Sequence, residues 1–178
     1  MKKLLTVILT LLLAISMTAC KPEEKKEEEK FVIGICQIET HAALDAATQG
    51  FKDALIEAFG EDKLVFIDGN AAGDPATCAT ICNGFVADGV DMILANSTPA
   101  LQAAAAATTT IPILGTSVTE YGVALNIEGF NGLTGFNVSG TSDLAPLDEQ
   151  AQMILDIMPD VKTVGILYSS SEANSIYQ

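Results

Sequence analysis

The chain has 178 residues, 49% of them hydrophobic, and a formal net charge of −14 at pH 7. From residue 31 onward, 18 acidic side chains stand against only three lysines, and the whole sequence contains no arginine. This excess of negative charge excludes nucleic acid as a partner, because binding to a phosphate backbone requires clustered cations. Without arginine, a carboxylate ligand would have to be held by hydroxyl groups and backbone amides instead of a guanidinium.

The N-terminal segment has the features of a secretory signal. Lys2-Lys3 precede an apolar run from Leu4 to Met17, and Thr18-Ala19 stand directly before Cys20. The run is too short to cross a hydrocarbon core of about 30 Å as a stable helix. The pattern resembles a bacterial lipoprotein signal, which implies that residues 1–19 are removed and that Cys20 carries the lipid. An ordinary signal peptide with a chance cysteine is the alternative.

Residues 20–30 are predicted to form a lipidated cysteine followed by a tether. The stretch from Lys21 to Lys30 contains one proline and otherwise only charged residues, so it has no apolar surface to bury. We therefore expect an extracytoplasmic protein that is anchored to the cell membrane through Cys20, with a folded domain beginning at Phe31.

Three cysteines remain after Cys20, namely Cys36, Cys78 and Cys82. An odd number in an exported chain indicates no disulfide framework. Cys78 and Cys82 are four residues apart on a predicted helix and could share a metal ion, but the sequence has one histidine and no Cys-x-x-C motif. We interpret the thiols as small buried hydrophobic residues, and we expect neither a bound metal nor a cofactor.

After the tether, apolar runs of strand length alternate with helical periodicity. Strands are predicted at Phe31–Ile38, Leu64–Asp68, Val90–Ala95 and Ile111–Gly115. Two of the intervening helices begin at Asp74-Pro75 and Thr98-Pro99, where a capping residue precedes proline, and glycines at positions 60 and 89 end helices. Parallel strands joined by right-handed helical crossovers are covered on both faces. The sequence thus predicts an α/β lobe with a doubly wound parallel sheet over residues 31–121.

The periodicity is lost between residues 122 and 140, where glycines accumulate, and we interpret this segment as a connector. An amphipathic helix at Ala145–Met158 and an apolar strand at Thr163–Tyr168 follow. The alternation begins again there, so residues 141–178 are predicted to start a second α/β lobe that is incomplete. We expect the chain to be the N-terminal part of a longer two-lobed protein.

In an open parallel sheet, ligands bind beyond the carboxyl ends of the strands. The segments predicted to meet there are rich in hydroxyl groups, with Thr98 after the third strand and Thr116-Ser117 after the fourth. Backbone N–H groups at the Thr98 helix start could hold a small carboxylate, with Ser117 or Thr116 as a second donor, although Thr98 could also simply cap its helix. His41 could contact a ligand or cap the first helix, and Asp143 is a candidate partner for a ligand ammonium.

Enzymatic chemistry finds little support in the sequence. It contains no Gly-x-Ser-x-Gly, His-Glu-x-x-His or Gly-x-x-x-x-Gly-Lys motif, and its single histidine makes a Ser-His triad hard to assemble. We therefore expect a binding protein and not an enzyme.

Seven short segments follow one another in a fixed order along the chain. They are Ile33–Gln37, His41–Asp45, Gly73-Asp74, Ala95–Ala100, Gly140–Leu144, Thr163–Tyr168 and Ser171–Ser175. Together they resemble the ABC-transporter substrate-binding lipoproteins of the tryptophan/tyrosine type, over about residues 31–178. The resemblance implies a type I periplasmic-binding-protein fold, in which two lobes close on a small ligand that is commonly an aromatic amino acid.

The resemblance also implies a set of ligand-binding residues. Carried over to this sequence, the set is Thr98, Ser117, Ser142, Asp143, Ser170 and Asn174. The first two correspond to the carboxylate site of the first lobe, and the others face it across the cleft. Family members often have Glu-His-Pro before the first helix, whereas this chain has Thr40-His41-Ala42.

The main functional hypothesis is a lipid-anchored receptor that binds a small zwitterion, an aromatic amino acid in particular, and delivers it to the permease subunits of an ABC importer. A sensory protein that presents its loaded form to a membrane receptor is the alternative, and neighbouring permease or kinase genes would separate the two. A sugar-binding protein of the same fold is a rival, but the sequence has no tryptophan and only three tyrosines for aromatic platforms. An exported hydrolase on an α/β scaffold would show turnover.

Overall fold

The computed structural model describes residues 30–170 and 173–177. The predicted signal segment, the lipidated Cys20 and nearly all of the charged tether lie outside these residues. Within the described part of the chain, no helix is both long and apolar enough to cross a membrane.

Strands and helices alternate along the described residues. The strands are β1 Phe31–Gln37, β2 Leu64–Asn70, β3 Met92–Asn96, β4 Ile113–Val118 and β5 Val138–Ser142. The α-helices are α1 Ala42–Phe59, α2 Pro75–Asp88, α3 Thr98–Ala107, α4 Tyr121–Leu125, α5 Leu147–Ile157 and α6 Ala173–Tyr177. A short 3₁₀ helix, Glu61–Lys63, joins α1 to β2. The four strands predicted for the first lobe are all present, with ends shifted by a few residues.

The strands form one parallel sheet in the order β2-β1-β3-β4-β5. The chain moves from β1 to β2 on one side and then returns to place β3 on the other side of β1. The strand order therefore reverses between β1 and β3, and in open sheets of this kind ligands bind outside the carboxyl ends of the strands at such a reversal. The predicted doubly wound parallel sheet is confirmed.

Side chains alternate between the two faces of each strand, and this alternation divides the core into two layers. Ile33 and Ile35 of β1 face a smaller cluster under α1. Cys36 faces the larger cluster, which includes Phe85 of α2 and the buried residues of α3 and α4. Gly34 lets α2 approach β1 closely, because a Cβ at this position would stand 2.6 Å from the Phe85 ring.

The starts of α2 and α3 test the predicted helix caps, Asp74 and Thr98. The Asp74 carboxylate accepts the Ala76 N–H at 3.1 Å, as the Asp-Pro pair predicted. The prediction that Thr98 caps α3 is wrong. The capping residue is Ser97, whose hydroxyl accepts the Ala100 N–H at 3.3 Å, and Thr98 is the first residue of the helix.

The segment 122–140, predicted to be an irregular connector, contains most of α4 and the start of β5. Val138 stands opposite Ile113, so β5 extends the sheet of the first lobe by one strand. The sequence Val-Ser-Gly-Thr-Ser conceals this strand, because only Val138 is buried and the other residues are exposed. A short, polar edge strand is common, because it discourages pairing of the open edge with another chain. The division of the chain into lobes stays a prediction.

The helix predicted near residues 145–158 is present as α5. The strand predicted at Thr163–Tyr168 is not formed, and Ile166 and Leu167 are largely exposed. A parallel strand needs a neighbour to satisfy its backbone N–H and C=O groups, and no strand among the described residues pairs with this segment. Apolar composition alone therefore gave the wrong secondary structure here.

Candidate ligand-binding site

The carboxyl ends of the central strands bring the candidate site together. Gln37 of β1 stands opposite Asn96 of β3, which in turn stands opposite Thr116 of β4. Farther along the same edge, Val118 of β4 pairs with Ser142 of β5. The loops that follow these strands thus start side by side, at the point where the strand order reverses and where ligands bind in this class of sheet.

The start of α3 presents a backbone donor toward this edge. Ser97 accepts the Ala100 N–H through its hydroxyl and the Leu101 N–H through its carbonyl, at 3.3 and 2.9 Å. Pro99 has no N–H, and among the described residues the Thr98 N–H has no acceptor. Thr98 is only 5% exposed. A small anion at this point would meet an unpaired N–H and the positive end of the helix dipole.

Two residues of the site have backbone conformations that favour glycine. Ser97 has φ 131° and ψ 164°, and Ser117 has φ 54°. The β4–β5 register shifts between Gly115 and Val118, so Ser117 lies at an irregularity of the ladder. The two segments are joined by the Ser97 N–H, which donates to the Thr116 carbonyl at 3.0 Å. Strain and bulges of this kind concentrate at binding sites, where they direct side chains and N–H groups.

A buried polar network lies beneath the same edge. The Asn96 Nδ2 donates to the Leu44 carbonyl at 2.8 Å and to the Thr48 hydroxyl at 2.9 Å. The Gln37 Nε2 donates to the Asp45 carboxylate at 2.6 Å, and the Thr48 hydroxyl donates to the Gln37 Oε1 at 2.7 Å. The first turns of α1 are therefore tied to the ends of β1 and β3.

The sequence places Gln37 and Asn96 in the segments that meet at this edge, but sequence reasoning assigned neither residue a role. Each is the polar last residue of a strand, and the three residues before it are buried and apolar or small. A buried amide must find hydrogen-bond partners, because an unpaired one costs free energy. That position at a strand end is the signal that could have identified them.

His41 lies at the N-terminus of α1, where its Nδ1 accepts the Ala43 N–H at 3.2 Å. The structure thus places it as a helix cap, which is one of the two roles considered from the sequence. Its side chain is exposed at the carboxyl edge of the sheet. A ligand contact by His41 stays a prediction.

Ser142 and Asp143 follow β5 at the same edge. The Ser142 hydroxyl donates to the Thr119 carbonyl at 2.6 Å and accepts the Leu144 N–H at 3.3 Å, so it ties the loop after β5 to the loop after β4. The Asp143 N–H donates to the Val118 carbonyl at 3.0 Å. These bonds fix the position of the loop that carries the exposed Asp143 carboxylate.

The Asp143 carboxylate affects its neighbour Tyr121. Burial, and after it the negative charge of Asp143, raises the pKa of Tyr121 to about 12. The Tyr121 hydroxyl therefore stays protonated and donates to the Thr141 carbonyl at 3.1 Å. Within the described residues the one ion pair joins Lys52 to Asp68, so no lysine there neutralises Asp143.

Ser170 and Asn174 are not in the sheet. Ser170 is exposed, and Asn174 lies half-buried on α6. This short helix contacts α4, and its Tyr177 lines a cavity with Glu120 and Phe130. Their predicted position across a cleft from Thr98 stays a prediction.

The three cysteines lie in the layer between β1 and α2, and all are fully buried. A hydrogen bond to Cys82 and burial raise the pKa of Cys36 well above its usual range, so its thiol is protonated. Their interpretation as small buried hydrophobic residues is confirmed. Among the described residues, no group of His, Cys, Asp and Glu side chains is arranged to hold a metal ion.

Sequence comparison gives two matches that bear on this site. Residues 32–178 match the family described as ABC transporter substrate binding protein. A tyrosine-binding protein of Clostridioides difficile strain R20291 is 38% identical over 193 aligned positions, which cover 99% of this chain and 55% of that protein.

Solved structures agree with this match. An ABC domain from Streptococcus pneumoniae in complex with L-Trp has a TM-score of 0.77 and 35% identity, over 84% of this chain and 50% of that one. A ligand-free, open substrate-binding protein with adhesive properties from Clostridium difficile has a TM-score of 0.68 and 38% identity, over 83% of this chain and 50% of that one. The chain spans about half the length of these relatives. The resemblance seen in the sequence is confirmed, and the chain belongs to the family of ABC transporter substrate-binding proteins.

Proposed function

We propose that this chain belongs to an extracytoplasmic receptor that binds an aromatic amino acid and delivers it to the permease subunits of an ABC importer. The ligand class is supported by the tyrosine-binding relative and by the L-Trp complex of a structural neighbour. A binding role without catalysis is supported by the matching family, which is described as ABC transporter substrate binding protein.

One observation carries the proposal of an amino-acid ligand. The unpaired Thr98 N–H stands at the start of α3, beside the hydroxyl-bearing loop at Thr116 and Ser117. Together these groups can hold a carboxylate by hydrogen bonds and by the helix dipole, in a sequence that has no arginine for that purpose. The strained conformations of Ser97 and Ser117 support a role for this edge beyond helix capping.

The ammonium end of the ligand would be bound by Asp143. Its loop is fixed at the end of β5 by hydrogen bonds to the loop after β4, and its carboxylate is exposed. A carboxylate on one side and N–H and hydroxyl donors on the other form the complement of a zwitterion. Ser170 and Asn174, and His41 at the start of α1, are proposed as further contacts.

Binding would be coupled to closure of two lobes, of which residues 31–121 and β5 contribute to the first. A ligand that contacts both lobes favours the closed form, so its affinity includes the shift from open to closed. The proposed lipid anchor on Cys20 would keep the receptor beside its membrane partners, while the charged tether lets it reorient.

Isothermal titration calorimetry on the protein as its gene encodes it tests this function. L-tryptophan, L-tyrosine and L-phenylalanine are compared with glucose and L-glutamate. We expect saturable binding of at least one aromatic amino acid and none of the sugar. Sugar binding, or no binding of any amino acid, would contradict the proposal.

Asp143→Asn tests the ammonium contact, with Asp88→Asn as a matched control at the other end of the sheet. We expect the first variant to weaken binding by roughly tenfold to a hundredfold, because a charged hydrogen bond contributes about 1.5–3 kcal/mol. The control should bind as the wild type does. Equal dissociation constants for both variants would remove Asp143 from the site.

A further inference from the structure

We infer that Asn96 is a positioning residue for the carboxylate site. It holds Ser97 in its strained conformation and thereby directs the Thr98 N–H toward the ligand. This inference rests on the proposed function, because it concerns the affinity of that same site. Asn96 itself is fully buried and lies beneath the site surface.

The Asn96 side chain has one orientation that satisfies its surroundings. Its Nδ2 lies 2.8 Å from the Leu44 carbonyl, which can only accept a hydrogen bond. The same nitrogen donates to the Thr48 hydroxyl at 2.9 Å and approaches the Gln37 Oε1 at 3.3 Å. The amide is therefore fixed against α1 and β1, although its Oδ1 is buried without a hydrogen-bond partner among the described residues.

The Asn96 backbone is fixed as well. It pairs with Gln37 on one side and with Thr116 on the other, at the end of the central strand. Pairing with β1 and β4 therefore fixes the direction in which the backbone runs from Asn96 into Ser97. Side-chain and backbone restraints on Asn96 act together at the last point before the helix.

Ser97 needs such a restraint. Its φ of 131° and ψ of 164° are unfavourable for any residue with a Cβ, and conformations of this kind persist only where neighbouring contacts enforce them. Ser97 itself donates its N–H to the Thr116 carbonyl at 3.0 Å, and it accepts the Ala100 N–H through its hydroxyl at 3.3 Å and the Leu101 N–H through its carbonyl at 2.9 Å. The hydrogen bonds of the Asn96 side chain restrain Ser97 from its N-terminal side.

The φ of Ser97 decides where the Thr98 N–H points, because rotation about the Ser97 N–Cα bond turns the following peptide relative to β3. If the hydrogen bonds of the Asn96 side chain are lost, Ser97 can relax to a negative φ and turn this N–H away from the proposed ligand position. The site would then be less preorganised, and ligand affinity would fall even in molecules that remain folded.

Asn137 offers a control with matched chemistry. Its Nδ2 donates to the Thr108 and Ile111 carbonyls at 3.2 and 2.6 Å, and its Oδ1 is also buried without a partner. It precedes β5 and bonds to the segment before β4, so it lies at the amino edge of the sheet, opposite the site. Removing the amide deletes three hydrogen bonds at the buried Asn96 and two at the half-buried Asn137.

The experiment measures both urea unfolding and calorimetric affinity for the aromatic amino acid that the wild type binds. We expect Asn96→Ala and Asn137→Ala both to be less stable. Only Asn96→Ala should bind more weakly, by about tenfold. This loss of affinity corresponds to the free energy stored in one strained backbone residue. Unchanged affinity of Asn96→Ala per folded molecule, or equal losses in both variants, would overturn the inference.

A rescue tests whether Asn96 acts through Ser97. Glycine adopts φ 131° without steric cost and is a tolerable helix cap, so Ser97→Gly in the Asn96→Ala background should restore part of the lost affinity. If the double variant shows the two single effects multiplied, with no recovery, Asn96 does not act through Ser97.

Two further outcomes are separable. If Asn96→Ala does not fold, Thr48→Val removes one partner of the amide while keeping the shape of the side chain, and we expect a smaller loss of affinity in the same direction. Wild-type affinity of Thr48→Val would overturn the inference. Failure of the wild type to bind any aromatic amino acid overturns the proposed function and this inference with it, whereas binding unchanged by the Asn96 variants overturns the inference alone.

Discussion

Replacing Gly140 by alanine tests how β5, and with it the loop of Ser142 and Asp143, is held against the sheet. Gly140 stands opposite Gly115 in the β4–β5 ladder, and its φ is 153°. A Cβ at position 140 would overlap the Gly115 carbonyl oxygen and the Tyr121 hydroxyl, and would lie 2.7 Å from the Gly115 nitrogen. Backbone atoms of the ladder cannot rotate away, so the two strands would have to separate.

The size of the effect follows from two terms. A residue other than glycine at this φ costs about 1–3 kcal/mol. Forcing extra atoms into a filled space costs about 1–3 kcal/mol more. The free energy of unfolding should therefore fall by about 2–6 kcal/mol. This is a large share of the roughly 5–15 kcal/mol that is typical of a whole domain.

Urea unfolding followed by circular dichroism measures this loss. Gly84→Ala is the control, because nothing lies within 4 Å of a Cβ at this position of α2. We expect it to stabilise the protein by about 0.5–1 kcal/mol, since alanine favours a helix over glycine. Tyr121→Phe in the Gly140→Ala background should recover part of the loss by removing the hydroxyl. A Gly140→Ala variant as stable as the wild type would refute the close pairing of β4 with β5.

Three further predictions concern the core, a helix cap and the thiols. Leu101→Ala should lower the free energy of unfolding by about 2–5 kcal/mol, because Leu101 is fully buried between α3 and the sheet; a change below about 1 kcal/mol in urea unfolding would contradict that packing. The pKa of Asp74 is lowered by hydrogen bonds from the Thr77 hydroxyl and the Ala76 N–H, so the ionised cap stabilises the fold above the ordinary pKa of about 4 and this contribution is lost as the pH falls through the lowered value. Asp74→Asn keeps a capping oxygen and should lack that acid-dependent loss in unfolding curves measured at successive pH values; the same loss in the variant would assign it to other groups. The three buried cysteines should react with Ellman's reagent only after denaturation; rapid reaction of more than one thiol per native chain, the one being Cys20 when it carries no lipid, would contradict their burial.

Much of the first lobe could be predicted from local patterns. Buried strands such as Phe31–Gln37 read as apolar runs, and the Asp74-Pro75 start of α2 is a capping signal that acts within one turn. Strand β5 could not be found this way, because its exposed residues are small and polar and its partner β4 defines it. The segment Thr163–Tyr168 shows the converse, since an apolar run without a paired neighbour forms no strand.

The candidate site was predictable in outline but not in geometry. The position of Thr98 at the carboxyl edge followed from the alternation of strands and helices. Ser97 and Thr98 could both cap a helix, and only the backbone conformation decides that Ser97 does so. The bond between Gln37 and Asn96 joins residues 59 positions apart, and it depends on how α1 packs over β1 and β3. No local pattern contains that information.

Calorimetry with ligand pairs that differ only in the carboxylate tests most directly whether the Thr98 edge is a carboxylate site. L-tryptophan is compared with tryptamine, and L-tyrosine with tyramine, on the protein as its gene encodes it. If the carboxylate is bound by the Thr98 N–H and the neighbouring hydroxyl groups, the amines should bind about tenfold to a hundredfold more weakly than the amino acids. Amines that bind as tightly as the amino acids would contradict a carboxylate site at this edge of the sheet.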